Sequence, residues 1–171
     1  MTNKFRKKLI NYFFPISFIL ILSFSRLIPH PWNFTPVLAM GIFSGFYFRN
    51  FFLSSFIVIF SMFIGDLYLG FHSTMFFTYF SMIIAVTLGF FVKDLRFIEI
   101  LITGVTSSVC FFFVTNFGAW LTLDMYEKSL SGLLKSYFLA IPFFHNTLLS
   151  TLLYLTVLKF IFSFINRQKL A

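Results

Sequence analysis

The feature that most limits what this chain can fold into is the spacing of its charges. Apolar runs, several of them close to the ~20 residues that carry a helix across a bilayer, are separated by one or a few charged positions. A soluble domain is about a quarter charged; this chain is 11% charged and 59% hydrophobic, so it lacks the polar surface to coat a water-soluble globule. Its 171 residues hold about six such helices with short loops and no room for a soluble catalytic domain. The 31 phenylalanines read as lipid-facing filler.

The expected fold class is all-α, one transmembrane domain over residues 1–171, with spans at about 9–25, 36–48, 51–67, 74–92, 97–121 and 141–165. Pro29, Pro31 and Pro36 exclude regular helix from 26–36. Residues 129–140 read as an amphipathic or re-entrant helix. The start of the chain, Lys4, Arg6, Lys7 and Lys8 before an apolar run, has the form of a signal peptide, but no small-residue cleavage site follows, so a retained first span is expected.

The net charge of +8 is a topology signal in such a chain and not a nucleic-acid footprint. With the N-terminus inside, Lys4, Arg6, Lys7, Lys8, Arg49, Lys93, Arg96, Lys159, Arg167 and Lys169 fall on the inner side, and Arg26, Lys128 and Lys135 on the outer. Six spans return the C-terminus to the basic side. Both termini are therefore expected in the cytoplasm.

Polar groups in or beside spans are costly and mark function more often than anchoring requires. On this topology Arg26, His30, Asn33 and Thr35, then Asp66 and His72, then Asn116 and Trp120, then Asp124, Tyr126 and Glu127, and finally His145 and Asn146 all fall at the outer ends of spans or in outer loops. Asn146, Ser150 and Tyr154 recur at helical spacing. Aromatic walls with a few fixed polar groups are the usual make-up of a small-molecule site. The expected ligand-binding residues are Arg26, His30, Asn33, Asp66, His72, Asn116, Trp120, Tyr126, His145 and Asn146. Arg26 with His30 suits an anionic group; Asp66 suits a cation, a hydroxyl, or a pairing with Arg26. Gly41 and Gly45 form a G-x-x-x-G pattern for close helix packing.

No catalytic or metal motif accompanies these groups, and neither enzyme activity nor a cofactor is expected. There is no Walker loop, no H-E-x-x-H and only one cysteine, Cys110. Ser44-Gly45 lacks the preceding glycine of rhomboid proteases, Ile42 standing there, and Gly65-Asp66 lacks that of intramembrane aspartyl proteases, Phe63 standing there.

The series Arg26-Leu-Ile-Pro-His-Pro-Trp-Asn-Phe-Thr-Pro36, Gly65-Asp66, Gly70-Phe-His72, Thr115-Asn-Phe-Gly-Ala-Trp120, Tyr126, Gly132-Leu133 and Ala140-Ile-Pro-Phe-Phe-His-Asn-Thr147 resembles an uncharacterised bacterial membrane-protein family. That family in turn is similar to the substrate-binding S components of energy-coupling factor (ECF) transporters. The resemblance implies a six-helix protein that captures a vitamin or similar micronutrient from outside and docks on a coupling subunit with two ATPases. Small residues on the first span often serve that docking; here Gly41 and Gly45 on the second are the nearest substitute. The expected function is thus an S-component-like binding subunit for a small polar molecule. The alternative is a structural multispan protein of envelope assembly, similar to the small membrane subunit of the rod-shape machinery.

Overall fold

The structure is a computed structural model that describes Phe13, Ser17 and residues 19–168, with side chains as far as Phe164. The basic cluster Lys4 to Lys8, most of the first half of the expected span 9–25, the side chain of Arg167 and Lys169 lie outside the described residues.

The fold is all-helical. Helix α1 covers 19–25, followed by α2 (Val37–Phe48), α3 (Phe51–Leu69), α4 (Met75–Gly89), α5 (Phe97–Thr122) and α6 (Leu130–Gln168). Six spans were expected; α3, α5 and α6 are long and apolar enough to cross a membrane. Helices α2 and α4, at 12 and 15 residues, extend only about 18 and 22 Å at 1.5 Å per residue, less than the ~30 Å hydrocarbon core.

The shortest helix is the centre of the bundle. Every residue of α2 from Val37 to Phe46 is buried, and α2 packs against α3, α4, α5 and α6. Pro36 bounds it on one side. On the other, Arg49 takes a left-handed conformation (φ 50°) and Asn50 caps α3 by accepting a hydrogen bond from the Leu53 N–H (3.0 Å). Glycine makes the α2–α4 seam possible. A Cβ on Gly45 would stand 2.1 Å from the Val86 carbonyl oxygen, and one on Gly89 would stand 2.0 Å from that of Ile42. Gly41 and Gly45, expected as a partner-docking face, are therefore occupied by α4 and offer no surface to another subunit.

Helix α3 shows how the chain sorts its residues. Ser54, Ile57, Val58, Ser61, Met62, Gly65 and Asp66 repeat at helical spacing and are buried, while Phe52, Phe56, Phe60 and Phe63 are exposed on the other side. Small and polar groups face in and phenylalanines face out, the arrangement expected where the solvent is lipid and helices associate by close packing. Exposed Phe76 and Phe80 on α4 and Phe160 and Phe164 on α6 continue that shell. Together with the three long helices it makes a membrane location plausible.

The expected division between 129–140 and 141–165 is corrected: both belong to the single 39-residue helix α6. Pro142 sits inside it and removes one backbone donor without ending the helix. Helices α5 and α6 form an antiparallel hairpin, with Gly104 receiving Leu152 and Tyr137 donating to the Phe113 carbonyl (3.2 Å). At the other side of the bundle Arg49 donates to the Phe90 and Val92 carbonyls and closes the end of α4.

Candidate functional site

The prolines of 26–36 keep this segment out of helix, and its backbone groups need other partners. They find them on α6. The Asn146 side-chain amide donates to the Trp32 carbonyl (2.9 Å) and the Ser150 hydroxyl reaches that of Asn33 (3.5 Å). The ring of Tyr154 lies 6.2 Å from that of Phe34. The polar stripe on α6 thus holds the loop. Asn33 itself is left-handed (φ 60°), a conformation that asparagine tolerates better than most residues. Asn146→Ala is expected to cost about 1 kcal/mol and to speed hydrogen exchange in the 26–36 segment, measured by mass spectrometry; unchanged exchange there would show that the latch does not hold the loop.

At the start of the loop Arg26 turns back onto α3. Its guanidinium donates to the Met62 carbonyl (2.9 Å) and lies 2.6 Å from Asp66 Oδ1. The Tyr79 hydroxyl donates to Asp66 Oδ2 (2.6 Å). Asp66 is fully buried, and Arg26 keeps 15% of its side-chain surface exposed. Gly65 gives the guanidinium its room: a Cβ there would lie 2.6 Å from Arg26 Nη1. An aspartate buried alone would be strongly unfavourable, and pairing with Arg26 and Tyr79 lets it stay in the bundle.

Above this pair is a cavity of about 840 Å³. Arg26, His30, Trp32, Asn33 and Thr35 from the loop line it, with His72, Ser73, Thr74 and Thr78 from the start of α4. Val37 and Leu38 at the start of α2 form part of its wall, and Phe111, Thr115, Thr147, Ser150 and Thr151 close the α5–α6 side. A smaller space of about 50 Å³ adjoins it, sharing Asn33, Phe111, Thr115 and Thr147 and adding Asn116. The volume falls within the range typical of small-molecule sites.

The structure brings Arg26, His30, Asn33 and His72 into the cavity and Asn116 into its annex. Asp66 stands behind Arg26 instead of facing the space. Trp120 donates its indole N–H to the Glu127 carbonyl (2.8 Å), and Lys128 donates to the carbonyls of Trp120 and Leu123, so these residues close the α5–α6 connection. His145 donates to the Ile141 carbonyl of its own helix (3.0 Å), and Asn146 holds the loop. Trp120, Tyr126, His145 and Asn146 do not line the cavity. The sequence reading missed the hydroxyls of Thr115, Thr147 and Thr151 and the role of Tyr79. Their signal was spacing: 147, 150 and 151 share a helix face, whereas Asn146 is turned about 100° away from Thr147.

Among the described residues no group of three or more His, Cys, Asp or Glu side chains is placed to hold a metal ion. The profile of a family of unknown function (DUF6580) matches residues 6–171. No curated protein and no solved structure matches the chain.

Proposed function

The chain belongs to DUF6580, a family of unknown function, and we propose that it is a membrane-embedded binding subunit for uptake of a small polar molecule, acting in the manner of an ECF S component. The observation that carries the reading is the 840 Å³ cavity lined by Arg26, two imidazoles and several hydroxyls inside the helical bundle. A purely structural membrane protein has little reason to keep such a space; polar groups in a bilayer are expensive unless they serve a ligand or a pathway.

The positive-inside rule places the ends bearing Arg49, Lys93, Arg96 and Lys159 in the cytoplasm and opens the cavity to the opposite side of a bacterial inner membrane. The ligand is captured there without chemistry, and release to the inside requires a partner such as a coupling subunit with ATPases. Because α4 covers Gly41 and Gly45, such a partner docks elsewhere, on the exposed apolar faces that the outer helices present.

Thermal unfolding of the purified protein across a panel of vitamins, their precursors and nucleobases tests the reading, since a bound ligand stabilises by mass action, by about 2.7 kcal/mol at a hundred times Kd. A stabilising compound whose effect is lost in His72→Phe supports capture in this cavity. A compound that stabilises the wild type and His72→Phe equally acts elsewhere and contradicts it. Stability that no compound changes favours the structural role in envelope assembly.

A further inference from the structure

The binding reading rests on the cavity as a whole; the distribution of donors and acceptors within it says what kind of molecule fits. Among the described residues that line it, none is acidic, and Arg26 is the one permanent charge. Arg26 donates one of the five N–H groups of its guanidinium to Met62 and pairs by charge with Asp66. The starts of α2 and α4 border the same space and no side chain caps either; the Met75 N–H is taken by the His72 carbonyl, and both helices turn a positive dipole end toward the cavity that Arg26 lines. This side of the cavity donates hydrogen bonds and favours negative charge.

The far side has the opposite character. Thr115 and Thr147 give their hydroxyl hydrogens to the carbonyls of Phe111 (2.7 Å) and Phe143 (3.0 Å), and Asn116 gives its amide to that of Phe112 (2.8 Å). Around the 50 Å³ annex the two threonines still offer oxygen lone pairs, and Asn116 offers its carbonyl oxygen and one remaining N–H. The two sides are separated by α2: α3, which carries Arg26's partners, makes no contact with α5 or α6 among the described residues.

We propose that the ligand is a small acid with an N–H or O–H donor at its other end. Its anionic group lies against Arg26 and the starts of α2 and α4, and its donor enters the annex formed by Thr115, Asn116 and Thr147.

The test uses the full chain purified in detergent and three matched sets of probes: amino-substituted carboxylates such as 4-aminobenzoate and its homologues, the same compounds as carboxamides, and the same compounds without the carboxylate. Unfolding midpoints are expected to rise only with the first set. Thr147→Val, which removes an acceptor without changing shape, is expected to weaken the best amino acid probe at least tenfold while leaving the weaker binding of a fourth probe, the same carboxylate without its amino group, unaffected. Larger shifts from the amides or the decarboxylated amines overturn the charge assignment and leave the binding reading intact. An unchanged preference for the amino group in Thr147→Val overturns the annex, as it would if only an ordered water occupied it. No shift with any set overturns both the acid assignment and, together with a silent vitamin panel, the binding reading.

Discussion

Asp66→Ala is expected to destabilise the protein by roughly 3–5 kcal/mol, the cost of leaving one partner of a buried ion pair alone. The mechanism is specific. Arg26 would keep its bond to Met62 but face a bundle interior without a counter-charge, and the Tyr79 hydroxyl would lose its acceptor. Arg26→Ala is expected to be about as damaging, because it strands a fully buried carboxylate. The double variant should be clearly better than the sum of the two, with a coupling of up to about 3 kcal/mol. Chemical or thermal unfolding in one detergent, on all four proteins, gives the cycle directly. Additive losses would mean that the two groups act independently and that the pair is not a unit.

The second large effect concerns the seam at the centre of the bundle. Gly45→Ala and Gly89→Ala each place a methyl about 2 Å from a carbonyl oxygen of the facing helix. Backbone cannot move aside as a side-chain tip can, so α2 and α4 must separate, at a cost of about 3 kcal/mol or more. Gly41→Ala provides the comparison within the same stripe. Its new methyl would lie 3.2 Å from the Ala85 side chain, a contact relieved by a few tenths of an ångström, and its cost should be about 1 kcal/mol or less. Unfolding midpoints that ranked Gly41→Ala with the other two would contradict the tight α2–α4 packing. Because α2 also forms part of the cavity wall through Val37 and Leu38, the damaging variants should lose ligand stabilisation as well.

The helical character of the chain was legible because apolar runs and their charged or proline boundaries are strong signals. The expected 36–48, 51–67 and 97–121 segments lie within two residues of α2, α3 and α5 at each end. The expected boundary at 141 is absent: α6 runs through Pro142, because a helix packed among neighbours tolerates one missing donor. The role of α2 was not legible: only packing shows that this short helix is the buried centre of the bundle, against α3, α4, α5 and α6. The site was half legible. Arg26, His30, Asn33 and His72 were found because charge and imidazole are rare in apolar sequence, but Asn146 and Trp120 were chosen for the same rarity and bind backbone carbonyls instead. The threonines that complete the cavity look like ordinary helix residues until the helices are placed side by side.

Capture of a ligand from outside requires that the cavity open away from the cytoplasm and hold that ligand. The most direct measurement is labelling of His72→Cys, in a Cys110→Ser background, by a membrane-impermeant maleimide added to intact cells that express the protein. His72 is exposed and lines the cavity, and Cys110 is the chain's one native thiol. Labelling is expected without permeabilisation, slowed by any compound that stabilises the protein against heat. Labelling that appears only after the cells are opened would contradict the orientation, and labelling unaffected by a stabilising compound would contradict the site.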